Sequence, residues 1–276
     1  MSLLNIGMSG LSASHASLVT TGNNISNVDT VGYSRQQTVQ GTKGSIQYGN
    51  VFIGTGTTLA DVRRVCNSYL DAQWQTTTSL NSDAQAYLGQ ATQVDKLLSD
   101  SGTGVTKSLQ AFFSSLQTLA GNSNDNAARQ ALLTNAQGLS SRFNAISGQL
   151  KQQGSYINDQ LGSMADQVNK LASTVAAYNK KISEVSASGG TPNELLDQRN
   201  ETIRQLNELV GTQVTETEGR MDIYLGSGQP LVVGDTVNKL RVAADPADPT
   251  RSSIIMHRNG SSIDITNLMS GGATGG

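Results

Sequence analysis

The 276-residue sequence is poor in charge, aromatic rings, cysteine and histidine. Charged residues make up 14% of it, against about 25% in an average soluble protein. The net charge of −2 provides no basic excess to neutralise phosphates, so we expect no nucleic-acid partner. A single cysteine, Cys66, excludes an intrachain disulfide. With His15 and His257 as the only histidines, we expect neither a metal centre nor a cofactor.

Long apolar runs and the common catalytic motifs are absent as well. No run approaches the ~18 residues that cross a membrane, so we expect no membrane association. The first 28 residues contain no Lys or Arg and lack the basic start of a secretory signal, so any export must use another route. The Gly54-Thr55-Gly56 run lacks the further glycine and the lysine of a phosphate-binding loop. We expect a protein that is not an enzyme and has no catalytic residues.

What the sequence does contain is uncharged polar residues and 29 glycines, a composition that suits close contact with other protein. The first residues also carry one apolar helical stripe, formed by Leu4, Met8, Leu11, Leu18 and Ile25. Burying these five side chains gains ~10 kcal/mol. Ordering the helix backbone costs ~1–2 kcal/mol for each residue. We therefore expect this helix to be unstable alone and to take its shape among other subunits.

An Asn-rich run at residues 23–35 follows the stripe. Asn and Asp compete with helical hydrogen bonds and accept left-handed geometry, so the run predicts the end of the helix in a fixed turn. Gly32 can supply a positive φ before an extended segment over residues 35–66.

The middle of the chain predicts long helices. Apolar residues on one side of residues 67–99, including Trp74, and the pair Phe112 and Phe113 in the next helix are interpreted as core. Apolar positions then alternate spacings of three and four from Leu132 to Val185, which predicts a coiled-coil-like helix from about Asp125 to Ser188. Such a rod is roughly 95 Å long at ~1.5 Å per residue, a poor frame for an enzyme pocket.

A final helix and a change of period complete the pattern. Thr191 and Glu194 predict a capping box. Asp197 and Arg199 are interpreted as solvated or cross-helix salt-bridge groups, because residues two apart do not share a helix face. After Gly211 the period becomes two, which predicts a small antiparallel β subdomain. The fold class is therefore mainly α with a small β subdomain, and the glycine-rich residues 269–276 are expected to be flexible.

Two sets of motifs resemble a known family. The first set resembles the N-terminal signature of bacterial flagellar axial proteins (rod, hook and hook-associated proteins): SGL at 9–11, NNISN at 23–27 and TVGYSR at 30–35. The second set resembles the hook-associated branch: Arg64, Tyr69, Leu70, Gln73, FF at 112–113, LQTL at 116–119, ARQAL at 128–132 and LLDQR at 195–199. Members of this family end in a second amphipathic helix that pairs with the first. Nothing like it follows Leu268, so we expect this sequence to be part of a longer protein.

The resemblance implies a structural subunit at the hook–filament junction, required for filament assembly and exported by the flagellar type III apparatus into the extracellular flagellum. It implies four parts before the flexible end: an axial helix at 1–34 in an inner tube, a connector at 35–66, a helical bundle at 67–211 and a β subdomain at 212–268. The implied partners are copies of the chain, the hook protein, the second hook-associated protein and an export chaperone. The implied assembly interface adds signature residues to the apolar stripe: Asn23, Asn24, Asn27, Thr30, Gly32 and Tyr33.

Two alternatives remain open. Another axial component, a rod or hook protein, would share the first signature but would not be expected to carry the long heptad segment. A secreted cell-wall hydrolase is a different class, since some axial relatives carry such a domain, but no catalytic constellation in this sequence supports it.

Overall fold

A computed structural model of the chain describes residues 3–99, 105–245, 248, 251–258 and 260–276. The helices are α1 (Leu3–Ser26), α2 (Ser68–Ser99), α3 (Val105–Gly121), α4 (Asn126–Ala187), α5 (Asn193–Leu209) and α6 (Gly272–Gly275). The strands are β1 (Gln36–Thr42), β2 (Ser45–Tyr48), β3 (Val51–Gly54), β4 (Thr57–Arg64), β5 (Thr212–Thr217), β6 (Arg220–Leu225), β7 (Pro230–Val233), β8 (Thr236–Val237), β9 (Lys239–Ala244), β10 (Ser252–Arg258) and β11 (Ser261–Asp264). The predicted fold class, mainly α with a small antiparallel β subdomain, is confirmed.

The helix α1 and the strands β1 to β4 form one unit, which we call the N-terminal unit. Strands β1 and β4 pair antiparallel, and β2 and β3 pair to form the tip of the same hairpin. α1 lies along this hairpin through small polar side chains. Ser17 Oγ is 2.9 Å from Thr38 Oγ1, and the Thr57 amide donates to Ser9 Oγ at 3.2 Å. The segment predicted to be an extended connector is therefore a β hairpin that supports α1.

The long helix α4 has the predicted ends. Asp125 is its N-cap, and the Asp125 carboxylate accepts a hydrogen bond from the Ala127 amide at 2.8 Å. Ser188 is its C-cap. Its C-terminal half is the more buried, at positions that alternate spacings of three and four: Ala165, Val168, Ala172, Val175, Asn179 and Ile182. The period agrees with the predicted seam, and the polar Asn179 occupies one of its buried positions.

The hydrophobic core lies between the second half of α4, α5 and the two larger sheets. These sheets have the strand orders β5-β6-β7-β8 and β11-β10-β9. The core residues with no exposed surface are Val168, Ala172, Val175, Ile203, Leu206, Val210, Ile223, Leu225, Leu231, Val232, Met256 and Ile265. The β subdomain is thus part of one core with the helices.

The prediction of core positions is wrong for Trp74 and Phe113, whereas Phe112 is half-buried. Trp74 is 54% exposed, and Phe113 is 57% exposed. The apolar side of α2 stays open because α2 and α4 do not close on each other. They are bridged instead by a polar contact, in which Gln153 Nε2 donates to Gln90 Oε1 at 2.7 Å.

The capping box predicted for α5 is also wrong. Pro192 is the N-cap residue of α5 and makes no side-chain capping bond. The next residue, Asn193, uses its side-chain amide to donate to the Val62 carbonyl at the base of the hairpin. Contact with the N-terminal unit therefore takes the place of a local cap.

The end expected to be flexible is folded in the structure. The Gly211 amide donates to the Gly271 carbonyl at 3.0 Å, and Thr274 Oγ1 donates to the Leu209 carbonyl at 2.7 Å. Gly271 and Gly272 are buried and have φ values of +71° and +66°. These glycines allow the chain to pass close to the end of α5, where a side chain would not fit. Glycine content was interpreted as linker composition, whereas here it permits close packing.

Candidate assembly surface

The apolar stripe of α1 faces away from the rest of the molecule. Its five predicted residues are between 58% and 72% exposed: Leu4, Met8, Leu11, Leu18 and Ile25. The opposite face of α1 lies against the hairpin, and there Ala13 is 3% exposed. Because small and hydroxyl side chains give close contact with the hairpin, the large apolar side chains are left outside. The exposed stripe is interrupted only at His15 and Gly22. Exposed apolar patches of this kind are typical of contacts between proteins.

Asn24 and Tyr33 have a different role from the stripe, because they fasten the end of α1 to β1. The Asn24 side-chain amide donates to the Gln36 carbonyl, and its oxygen accepts from the Gln36 amide, both at 2.8 Å. The Tyr33 hydroxyl donates to the same Asn24 oxygen at 2.8 Å. The Asn24 side chain therefore pairs with the backbone of β1 as a neighbouring strand would, and its hydrogen bonds lie within the chain.

The other signature residues form the turn itself and stay close to solvent. Asn27 Nδ2 donates to the Asn23 carbonyl at 3.0 Å and to Asn23 Oδ1 at 2.9 Å. Thr30 Oγ1 donates to Asn27 Oδ1 at 3.3 Å. These bonds hold the last turn of α1 in a fixed shape, as side-chain bonds of Asn and Thr do at helix ends.

Gly32 is required twice over. Its φ is +81°, which L side chains rarely adopt. A Cβ at this position would also lie 2.9 Å from the Cβ of Glu201 on α5. The signature turn therefore packs directly on the last long helix of the core.

The centre of this contact is Asp197. Its Oδ2 accepts from the Ser34 amide at 3.0 Å, and its Oδ1 accepts from Arg64 Nη1 at 2.8 Å. The side chains of Asp197 and Arg64 are only 8% and 11% exposed. Burial, and then the negative charge of Asp197, raise the pKa of the Tyr33 phenol beside it. The predicted salt bridge of Asp197 is therefore present. Its partner lies on a strand instead of a helix, and the pair is buried instead of solvated.

Arg199 is fully buried, so the interpretation of this residue as solvated or salt-bridged is wrong. Its Nη1 donates to Asn179 Oδ1 at 3.0 Å and to the Gly219 carbonyl at 2.8 Å. The Asn179 side chain in turn donates to the Met221 and Gly234 carbonyls, both at 2.8 Å. Burial lowers the pKa of Arg199 to about 10. Arg199 and Asn179 join α4, α5 and the β5–β6 hairpin.

The sequence-predicted site residues therefore fall into two groups. The large apolar side chains of the stripe are exposed, whereas the signature residues make contacts within the chain: Asn23, Asn24, Asn27, Thr30, Gly32 and Tyr33. Glu201 was missed because no local pattern links it to Gly32, which is 169 residues away in the numbering.

The remaining candidate features are the single cysteine, groups of metal ligands and membrane-spanning helices. Cys66 is exposed. The described residues contain no group of three or more His, Cys, Asp or Glu side chains arranged to hold a metal ion. None of the helices in the described part of the chain is long and apolar enough to span a membrane.

Comparison with known proteins gives one match to the first residues of the chain and another to the larger part that follows. Residues 91–276 match the model of the flagellar hook-associated protein FlgK helical domain, and residues 4–33 match the flagella basal body rod protein model. Flagellar hook-associated protein 1 of Salmonella typhimurium is 36% identical over 92% of this chain and 46% of its own length. The Bacillus subtilis protein of the same name is 31% identical over 74% of this chain and 42% of its own length.

A solved structure is similar as well. The flagellar hook junction protein FlgK from Burkholderia pseudomallei has 31% identity and a TM-score of 0.67, over 76% of this chain and 38% of that one. The chain thus spans about half the length, or less, of the relatives it matches.

Proposed function

The chain belongs to the flagellar hook-associated proteins that contain the FlgK helical domain, and from this we propose that it is a structural subunit of the bacterial flagellum at the hook–filament junction. In this proposal it is required for assembly of the filament. The observation that carries the proposal is the uncharged apolar stripe of α1, which is held outward by a hairpin that contacts only the opposite face.

The proposed arrangement follows the two surfaces of the chain. Residues 1–34 enter an inner tube, and residues 35–66 connect this tube to an outer layer. That layer is formed by the helical residues 67–211 and the β subdomain at 212–268. The last described residues pack beside α5 and so belong with the outer layer. The partners of the stripe are copies of this chain and other axial proteins, namely the hook protein and the second hook-associated protein.

Export is part of the same proposal. The subunit leaves the cell through the flagellar type III apparatus, helped by an export chaperone, and is located in the extracellular flagellum. An N-terminal segment that is charge-poor and gains little from folding alone is suited to passage through a narrow channel in an unfolded form.

A rod or hook protein is the second candidate, because residues 4–33 match a rod-protein model. The match to the helical-domain model over residues 91–276 favours the junction. Immunogold labelling of isolated flagella separates the two candidates: label at the hook–filament junction supports the proposal, and label confined to the basal body overturns it.

The direct test removes the apolar character of the stripe. Leu4, Leu11 and Leu18 are all changed to Asn in the full-length protein, which is expressed in cells that lack their own copy. We expect no filaments and no swimming, because the stripe then loses its affinity for apolar neighbours. The matched control is Leu133→Asn on α4, where the leucine is 57% exposed but lies outside the stripe. Normal filaments in the triple variant would contradict the proposal.

A further inference from the structure

The N-terminal unit and the rest of the chain do not share a hydrophobic core. The core cluster begins at Ala165 and ends at Ile265. Among the described hydrophobic residues of the N-terminal unit, only Ala13 is buried. Apolar packing therefore does not fix how the N-terminal unit is oriented on the helical body.

What fixes this orientation is a small set of polar contacts around Asp197. Ser34 lies just before β1, and Arg64 is the last residue of β4. One carboxylate accepts from both, so it ties the two ends of the hairpin base to the same point on α5. Beside it, Gly32 lies against Glu201 and Asn193 donates to the Val62 carbonyl.

The chemistry of the carboxylate suits this role. It offers two acceptor oxygens, and here each oxygen takes one donor from a different end of the hairpin. Removal of one partner of a buried ion pair is strongly destabilising, because it leaves the other charge without compensation. Without Asp197, the short covalent link at residues 65–67 between β4 and α2 remains, together with the contacts of Gly32 and Asn193.

We infer that Asp197 is a positioning residue that locks the N-terminal unit to the helical body and so sets the direction in which α1 is presented. Loss of its two hydrogen bonds weakens this joint, so that the orientation of the hairpin relative to the body varies. This inference concerns the free chain and stands independently of the proposed function. Its consequence for filament assembly rests on that function.

The test measures a distance between the two units in the full-length protein in solution. Spin labels are attached to cysteines that replace the exposed Thr58 on β4 and Lys181 on α4, with Cys66→Ser as background. Electron–electron double resonance then gives the distance distribution. We expect one narrow peak for the parent, and loss of that peak in favour of a broad distribution for Asp197→Asn. An amide has a single acceptor oxygen, so it leaves one of the two donors without a partner.

Two further variants make the result decisive. Arg64→Gln breaks the same ion pair without altering α5, so it should broaden the distribution too, even if Asp197→Asn folds poorly. Glu194→Gln removes an exposed carboxylate one turn earlier on α5 and should leave the peak narrow. The inference is overturned if the parent distribution is already broad, or if Asp197→Asn and Arg64→Gln both keep the narrow peak.

Discussion

At the scale of single residues, the contact between the signature turn and α5 depends on side chains that are small or absent. Gly32 is the clearest case, because both its backbone conformation and its distance from Glu201 exclude a side chain. Gly44 offers a matched comparison in the same unit. It has a similar φ of +76°, but a Cβ there would meet nothing within 4 Å.

We therefore predict that Gly32→Ala loosens the joint more than Gly44→Ala does. Each substitution forces an L residue into left-handed geometry, at a cost of about 1–2 kcal/mol. Gly32→Ala also pushes the turn away from Glu201. Hydrogen exchange of the Ser34 amide, which is bonded to Asp197, measures the opening of the joint. Equal exchange rates at this amide in the two variants would contradict the explanation.

Glu201 leads to a second prediction, about acid. Its hydrogen bond from Arg204, Nη2 to Oε1 at 2.7 Å, lowers the pKa of Glu201 below its ordinary value of 4.5. A carboxyl whose pKa is lowered on folding stabilises the native state above pH 4.5, and this contribution disappears as pH falls through the lowered pKa. The two side chains are 18% and 19% exposed, so the pair is only partly screened by water and the contribution is about 1 kcal/mol.

We predict that Glu201→Gln lowers the free energy of unfolding at pH 7 but has less effect in acid, well below the ordinary pKa. Urea unfolding at the two pH values measures the difference. An equal loss of stability for Glu201→Gln at both pH values would show that the pair contributes no pH-dependent stability.

At the scale of elements, regular sequence patterns predict where helices and strands lie, but they do not predict which elements contact each other. The ends of α4 could be predicted because Asp125 and the Ser-Gly-Gly run at 188–190 are local signals. The strands after Gly211 followed from their period of two. The burial of α2 could not be predicted, since an apolar side such as that of Trp74 and Tyr87 looks the same whether or not a partner helix covers it. The ion pair of Arg64 with Asp197 could not be predicted from the sequence either, because it depends on how two distant elements dock.

The helix caps provide a prediction at this scale. Asp125→Ala removes the hydrogen bond that the Asp125 carboxylate accepts from the Ala127 amide in the first turn of α4, and caps of this kind contribute about 0.5–2 kcal/mol. Thr191→Ala should have almost no effect, because α5 has no side-chain cap. Hydrogen exchange of residues 126–130 and 193–197 compares the two. Faster exchange at the start of α5 in Thr191→Ala would show that the predicted capping box forms after all.

At the scale of the whole molecule, stability and assembly are assigned to different parts of the chain. The core from Ala165 to Ile265 holds the body together, whereas α1 presents large apolar side chains to solvent. Two methionines allow the core and the exposed stripe to be compared. Met256 has no exposed surface, and Met8 is 58% exposed.

We predict that Met256→Ala lowers the free energy of unfolding by about 2–5 kcal/mol, as expected for truncation in a core. Met8→Ala should change it by no more than about 0.5 kcal/mol, since a surface truncation leaves no cavity. Denaturant unfolding of the full-length protein measures both. A loss of several kcal/mol in Met8→Ala would mean that the stripe is already covered in the free chain.

The most direct measurement of the central claim is amide hydrogen exchange along α1, compared between the free full-length protein at high dilution and the same protein in assembled flagella. In the free protein, we expect the α1 amides to exchange much faster than those of the buried half of α4. On assembly, the α1 amides should become protected. Strong protection of α1 in the free protein, equal to that of the core, would contradict the claim that its neighbours in the polymer give this helix its stability.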